Sequence, residues 1–207
     1  MDYMRLKHNT VYISGRKNIY ADPFLIQKPA PKADVILVTH EHYDHYSPAD
    51  LKKLIGKETL LIAPQKVIEA AKRERLPVRM KTVEAGDCFE ADGIGVEAVP
   101  AYNENKPYHP RSAGGVGYVL TVEGTRLYIA GDTDATGELR AVSCDVAFVP
   151  VGGVYTMDAR QAAAAVNEMR PHVAVPTHYG ALDSVAGAEA AQQFEALLEE
   201  GIECRIF

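Results

Sequence analysis

Four side chains that can bind a metal ion stand within six residues, directly after a short apolar run. The run, residues 35–38, reads Val-Ile-Leu-Val between polar residues, a pattern typical of a buried strand. The side chains that follow it are His40, His42, Asp44 and His45. We expect them in a loop at the carboxyl end of that strand, where open α/β sheets place their ligands. The chain must therefore fold so that a buried strand ends at a polar site.

The residue types in this loop indicate which ligand it holds. Imidazole nitrogens and carboxylate oxygens suit zinc, iron or manganese. The pattern His-x-His-x-Asp-His arises by chance in roughly one chain of this composition in two thousand. The alternative is an exposed polar loop, but histidines seldom cluster in this way without a metal. The loop therefore predicts one or two Zn2+ ions per chain, with Mn2+ or Fe as other candidates.

Two later segments repeat the arrangement of an apolar run followed by a metal-capable residue. Asp132 follows the run at residues 127–130, and His178 follows the run at residues 173–175. Asp132 could instead be a turn or helix cap, and His178 could be a turn residue. We expect both to be ligands, because the cluster at residues 40–45 requires partners from elsewhere in the chain.

These three segments, in this order, resemble the signature of the metallo-β-lactamase superfamily. Residues 99–103 and 150–153 are most similar to its compact metal-dependent hydrolase branch, which includes ascorbate-lactone-type lactonases and phospholipase-D-like phosphodiesterases. The resemblance implies an α+β protein with the metallo-β-lactamase fold, an αββα sandwich of two mixed β-sheets flanked by helices. Apolar periodicity alone predicts only a mixed α and β chain with many strands.

The resemblance also implies a distribution of ligands between two metals. One metal would take His40, His42 and a third histidine, and the other would take Asp44, His45 and His178, with Asp132 shared. In related hydrolases the third histidine usually lies where this chain has Tyr102 and Asn103, neither of them a strong zinc ligand. His109, six residues after Asn103, is the candidate substitute. The alternatives are Asn103 itself, no third ligand, or a mobile loop histidine.

The resemblance implies a hydrolase that acts on a small ester, lactone or phosphodiester through a metal-bound, bridging hydroxide. Asp44 would orient the hydroxide, and His109, if it is not a ligand, could protonate the leaving group. The loop at residues 152–158 could line the substrate pocket or could be only a turn with a helix cap. A non-catalytic or redox metal-binding protein on the same scaffold is the alternative. Redox members typically carry a glutamate where this chain has His42.

Length, charge and composition predict the number of domains and the kinds of molecule that the protein can bind. The chain has 207 residues, which predicts one domain spanning residues 1–207. A net charge of −6 argues against nucleic-acid binding but permits a small, possibly anionic substrate, because a bound metal supplies positive charge. No apolar run approaches the ~20 residues of a membrane span, so we expect a cytoplasmic protein that binds no membrane. Three separated cysteines are expected to be buried thiols. The oligomeric state is left open.

Several local expectations concern secondary structure and the remaining histidines. Helices are predicted from Ser47 to Gly56, over residues 65–75, from Asp158 to Pro171 and over residues 185–200. A tight hairpin is predicted at residues 123–124. His8 and His172 are expected to be exposed, and Asp134 to be a loop carboxylate or to hold an imidazole.

Overall fold

The computed structural model describes residues 1–182 and 184–207, which divide into two units, Met1–Glu84 and Ala85–Phe207. Each unit contains one mixed β-sheet with its own helices. In the part of the chain that is described, no helix is long and apolar enough to cross a membrane.

The first unit contains a six-stranded sheet in the order β1-β2-β3-β4-β5-β6. Its strands are β1 Asp2–Lys7, β2 Thr10–Ser14, β3 Asn18–Ala21, β4 Ala33–Leu37, β5 Ile55–Ala63 and β6 Arg79–Thr82. The first three strands pair antiparallel, whereas β3 to β6 pair parallel. Helices α1, Pro48–Leu54, and α2, Gln65–Arg73, connect the parallel strands. The predicted strand at residues 35–38 corresponds to β4.

The start of α1 fixes the end of the histidine-rich loop. The hydroxyl of Ser47 accepts from the amide of Asp50, and Pro48 occupies the first turn, where its missing N–H is tolerated. The Asp50 carboxylate accepts from the amides of Leu25 and Ile26 at 3.0 Å each. These contacts tie the segment after β3 to the helix that follows the loop.

The carboxyl of Asp50 is held in its charged form. Burial acts to raise its pKa, but hydrogen bonds from Lys53, Ser47 and the two amides outweigh burial, so the pKa lies below its usual value. Folding therefore stabilises the carboxylate at neutral pH.

The second unit contains a seven-stranded sheet in the order β13-β12-β11-β10-β9-β8-β7. Its strands are β7 Cys88–Ala91, β8 Ile94–Pro100, β9 Val116–Val122, β10 Thr125–Ile129, β11 Val146–Pro150, β12 Val173–Thr177 and β13 Glu203–Cys204. Strands β7 to β10 pair antiparallel and β10 to β13 pair parallel. Its helices are α3 Gly137–Arg140, α4 Ala159–Met169 and α5 Glu189–Ala196.

The local signals predicted most of these elements. Glu123 and Gly124 both have positive φ and form the tight turn between β9 and β10. Asp158 and Gln161 form the expected capping box of α4. Alanines of α4 and Phe194 of α5 are buried in the core of this unit.

Other boundaries were wrong. Helix α5 is confined to Glu189–Ala196, and α2 ends at Arg73, because Arg75 has a left-handed φ of 52°. Gly56 does not end α1, since β5 begins at Ile55. None of the three cysteines is buried: Cys88 is exposed and the other two are partly exposed.

Candidate metal centre

The loop after β4 brings the four predicted donors of the first unit together. The Nε2 atom of His40 lies 3.1 Å from Nδ1 of His42, and the ring centres of His40 and His45 are 4.1 Å apart. The amides of His45 and Tyr46 both donate to the carbonyl of His42, so the chain turns back on itself here. His40 and His45 are buried, whereas His42 is exposed. His40, at the start of the loop, therefore lies next to both His42 and His45.

His8 belongs to this cluster, and the expectation that it is exposed was wrong. Its side chain is fully buried, and its Nε2 lies 3.0 Å from Oδ2 of Asp44. Asp44 Oδ2 is also 3.6 Å from Nε2 of His45. His8 lies in the turn between β1 and β2 and has a left-handed φ of 52°, a conformation that strand periodicity does not predict. No local sequence signal distinguishes it from an exposed turn residue.

Asp22 is a second buried carboxylate that sequence reasoning missed. Its Oδ2 lies 2.7 Å from Nδ1 of His45, and its two oxygens accept from the amide and the hydroxyl of Thr39. The side-chain amide of Asn9 donates to the same carboxylate. Because the carboxylate only accepts, Nδ1 of His45 carries the proton and Nε2 carries the lone pair a metal requires. A signal was present: Asp22 follows β3, which is parallel to β4, so both carboxyl ends meet at one edge.

The second unit brings together the other three predicted donors. Asp132 and His178 follow β10 and β12, which lie in the parallel part of the sheet on either side of β11. The Oδ2 atom of Asp132 lies 3.1 Å from Nε2 of His178 and 3.4 Å from Nε2 of His109. All three residues are buried. His109 therefore lies beside Asp132, although its loop is remote in sequence.

Asn103 holds the ring of His109 in this orientation. The Asn103 Nδ2 group donates to the carbonyls of Tyr155 at 2.7 Å and Tyr108 at 3.0 Å. The Tyr155 carbonyl also lies 3.2 Å from Nδ1 of His109. The Nδ2 group of Asn103 also lies 3.3 Å from Nδ1 of His109, but its two hydrogens already serve the carbonyls of Tyr155 and Tyr108. Nδ1 can therefore donate to the Tyr155 carbonyl, and this tautomer leaves the lone pair on Nε2, the atom near Asp132. The residue at the usual histidine position thus supports a histidine six positions later.

A second set of contacts fixes the loop that carries His109. The amide of Asn103 donates to the carbonyl of His109 at 2.8 Å and closes the loop. Asp134 forms an ion pair with Lys106 and accepts from the amide of Glu104. Asp134 is therefore a loop carboxylate that anchors residues 103–109, and among the described contacts it holds no imidazole.

The loop after β11 packs directly against His178. A Cβ atom added to Gly152 would lie 2.6 Å from the carbonyl oxygen of His178 and 2.7 Å from its Nδ1. Only a glycine permits this approach without displacing one of the two segments. Tyr155 in the same loop contacts His109 through its carbonyl. Residues 152–155 therefore touch two of the three donors of this unit.

The donor sets fit the metals inferred from the sequence. Two ligands of a tetrahedral zinc, each bound at ~2.0–2.1 Å, lie roughly 3.3 Å apart. The donor pairs His40–His42, His45–Asp44, His178–Asp132 and His109–Asp132 lie 3.1 to 3.6 Å apart, which matches that spacing. The donors are imidazole nitrogens and carboxylate oxygens, a set that suits zinc, manganese or iron rather than a closed structural thiolate site.

Comparisons with known proteins agree with this fold and donor pattern. The model of the β-lactamase superfamily domain matches residues 4–178. A UPF0173 metal-dependent hydrolase of Thermoplasma acidophilum is 33% identical over 204 residues, which cover 92% of this chain and 87% of that protein. The chain therefore belongs to the β-lactamase superfamily, and it groups with the metal-dependent hydrolases of that superfamily.

Solved structures show the same fold. A proposed metal-dependent hydrolase of Parabacteroides distasonis has a TM-score of 0.85 and 33% identity, covering 99% of this chain and 91% of its own. Igni18, a metallo hydrolase of Ignicoccus hospitalis, has a TM-score of 0.78 at 22% identity, covering 99% of this chain and 94% of its own. The predicted α+β metallo-β-lactamase fold is thereby confirmed, whereas the extent of a single domain and the ligand roles stay predictions.

Proposed function

We propose that this protein is a metal-dependent hydrolase that cleaves a small ester, lactone or phosphodiester. The observation that carries the proposal is the pair of donor sets, in which neighbouring nitrogen or oxygen atoms lie 3.0 to 3.6 Å apart in the loops that follow strands. We assign seven ligands: His40, His42, Asp44, His45, His109, Asp132 and His178. Zinc is the first candidate, with one or two ions per chain.

Bound divalent cations would lower the pKa of a water molecule toward neutral and stabilise the oxyanion that forms on the substrate. The protein's own residues prepare this chemistry. Asp22 fixes the proton of His45 on Nδ1, and the Tyr155 carbonyl would accept the Nδ1 proton of His109 when Nε2 of His109 binds a metal. Asp44 lies between His8 and His45 and would orient the attacking water through its carboxylate. His8 fixes that carboxylate, because its Nε2 lies 3.0 Å away.

His109 is assigned as a metal ligand rather than as a general acid. Its Nε2 lies 3.4 Å from Oδ2 of Asp132, and a backbone carbonyl lies 3.2 Å from its Nδ1, an arrangement usual for metal-ligating histidines. Both facts favour a ligand over a general acid, which would need a proton on the atom that faces the substrate. The substrate is a small molecule in this account, and the cytoplasmic location expected from the sequence stays a prediction.

Turnover with and without metal tests the proposal. Purified protein, the same protein stripped with a chelator and the protein resupplied with Zn2+ or Mn2+ are assayed on chromogenic esters, lactones and phosphodiesters. We expect hydrolysis of at least one class, lost on stripping and restored by metal. Asp132→Asn should lower kcat/KM by ~100-fold or more, because it removes a charge that balances the cations. Absence of turnover by metal-loaded protein on every class would contradict a hydrolase and favour a non-catalytic metal-binding protein.

A further inference from the structure

Ester and phosphodiester chemistry make different demands on the surroundings of a metal. A phosphodiester carries a negative charge throughout the reaction, and protein sites commonly bind it with Arg or Lys side chains in addition to metal. A neutral ester or lactone needs no such cation, but its apolar parts gain free energy from leaving water. Charge and apolar exposure next to the donors therefore distinguish the two substrates.

The cations of the donor loops are already paired. The loops at residues 39–47, 101–111, 131–136, 151–158 and 177–180 contain only two Lys or Arg residues, Lys106 and Arg111. Lys106 forms its ion pair with Asp134. Arg111 pairs with Glu138 at 2.8 Å and lies over the ring of Tyr102, 4.8 Å from its centre. Both cations thus have carboxylate partners within the protein, and an anionic substrate would have to compete with these partners.

Exposed apolar side chains border the donors of the second unit. Tyr108, which directly precedes His109, is 43% exposed, and Val154 in the Gly152 loop is 59% exposed. The rings of Tyr108 and Tyr155 meet edge to face with their centres 4.7 Å apart. The Tyr155 carbonyl contacts His109, and Gly152, three residues before Tyr155, packs against His178. This aromatic pair therefore belongs to the loops that contact both histidines.

The donors of the first unit are also bordered by an exposed aromatic residue and a paired cation. Tyr43 stands between His42 and Asp44 in sequence and is 66% exposed. The ring of Phe24 packs edge-on against Tyr43 at 6.0 Å and against His8 at 5.9 Å. Lys66, near the start of α2, is paired with Glu41 at 2.8 Å. Each donor set is therefore bordered by aromatic rings.

We propose that the substrate is a neutral ester or lactone that carries an aromatic or alkyl group, and that Tyr108, Val154 and Tyr155 contact this group. The inference rests on the proposed hydrolase function and decides between its substrate classes. A substrate ring would pack edge to face against Tyr108 or Tyr155, as these two rings pack against each other. Hydrolysis would break the acyl–oxygen bond, with water supplying OH to the acyl carbon and H to the leaving alcohol.

Binding of one neutral and one anionic aromatic probe tests this inference without turnover. Acetanilide, the amide counterpart of phenyl acetate, represents the neutral aromatic substrate, and diphenyl phosphate represents the anionic one. Each is titrated into zinc-loaded protein while tyrosine ring signals are followed by NMR. We expect acetanilide to shift the signals of Tyr108 and Tyr155 and to bind at least ~10-fold more tightly than diphenyl phosphate.

Two variants and a matched control locate the contact. Tyr108→Ala and Val154→Ser should each weaken acetanilide binding, Tyr108→Ala by about 10-fold. Ile206→Ser changes an apolar residue of similar exposure, 42%, near the C-terminus and should leave binding unchanged. Folding is not at risk, because all three side chains are exposed.

The possible outcomes separate the inference from the proposed function. Tighter binding of diphenyl phosphate, or faster cleavage of bis(4-nitrophenyl) phosphate than of 4-nitrophenyl esters, would overturn the neutral substrate but leave the hydrolase standing. Failure of both probes to bind would also overturn it. Acetanilide binding at Tyr108 without cleavage of any ester, lactone or phosphodiester would instead count against the hydrolase function alone.

Discussion

The Nδ1 atom of His45 lies 2.7 Å from Oδ2 of Asp22, and both side chains are fully buried. This contact leaves the lone pair of His45 on Nε2, which lies 3.6 Å from Oδ2 of Asp44. Asp22 therefore orients one of the donors of this loop. The carboxylate also holds Thr39, the residue before His40, through its amide and its hydroxyl. One buried carboxylate thus fixes both the tautomer of a donor and the start of the loop.

Replacement of Asp22 by Asn should weaken metal binding by 10–100-fold, the usual loss for a partner behind a metal ligand. The carboxylate has two accepting oxygens and an amide has one. The NH2 group of Asn would therefore face a hydrogen-bond donor of either Thr39 or His45. Competition with a fluorescent zinc chelator measures the affinity. Asp34→Asn is the control, because Asp34 is a partly exposed carboxylate that contacts Lys17 and the amide of Asn18. Equal affinity in Asp22→Asn and the wild type would remove Asp22 from this role.

Asn103 is predicted to act by orienting His109. In 15N-detected histidine spectra, His109 should carry its proton on Nδ1 in the metal-free protein, because the Tyr155 carbonyl accepts there. Asn103→Ala removes the two donors that hold that carbonyl and the Tyr108 carbonyl. We expect a mixture of tautomers and about a 10-fold weaker metal affinity.

An exchange of positions tests whether His109 replaces the usual histidine. His109→Ala should weaken binding at one metal, and the double variant Asn103→His/His109→Ala should regain most of the loss. Metal content unaffected by His109→Ala would show that His109 is not a ligand.

Gly152 is predicted to be intolerant of a side chain. A methyl group there would lie 2.7 Å from Nδ1 of His178, so Gly152→Ala must displace His178 or its own loop. We expect at least a 10-fold loss of metal affinity, measured by the same competition assay. Gly137→Ala is the matched control, because a Cβ at Gly137 meets nothing within 4 Å. Equal metal affinity in the two variants would show that the close approach is unimportant.

Asp50 should stabilise the first unit in a pH-dependent way. The pKa of Asp50 is lower in the folded state than in the unfolded state. Its contribution to the free energy of unfolding is therefore complete above the unfolded pKa of 3.8 and is lost as the pH falls through the lower folded pKa. Asp50→Asn should lower the free energy of unfolding at pH 7 by about 2–3 kcal/mol, as hydrogen bonds to a charged group are lost. Urea unfolding at pH 7 and below pH 3.8 measures the difference, which should shrink at the lower pH. Asp2→Asn, an exposed change in β1, serves as the control, and a difference independent of pH would contradict this origin.

The sequence predicted those parts of the site that follow directly from strands. Residues 40–45, Asp132 and His178 each come after an apolar run, and parallel strands bring their ends to one edge within each sheet. Turn and cap signals were equally local, as at Glu123–Gly124 and in the capping box of α4. These features depend on neighbours within a few residues, so a single sequence contains them.

What the sequence did not predict depends on contacts between distant residues. His8 lies 36 positions from Asp44, and Asp22 lies 23 positions from His45. Asp22 follows a strand, but local periodicity does not reveal its contact with His45. A turn histidine such as His8 looks the same whether it is buried or exposed. The support that Asn103 gives His109 passes through the carbonyl of Tyr155, which lies 52 positions from Asn103. Such relationships depend on how loops from distant parts of the chain pack together.

The metal content of a His40→Ala/His42→Ala variant tests the central claim most directly. The double variant removes two donors from the loop after β4. The control, His172→Ala, removes a histidine whose side chain is 83% exposed and lies outside both donor sets. Proteins purified without chelator are analysed by elemental mass spectrometry, with circular dichroism to confirm folding. We predict one to two zinc, manganese or iron ions per chain in the wild type and in His172→Ala, and at least one fewer in the double variant. A folded double variant with unchanged metal content would contradict the metal centre proposed for this protein.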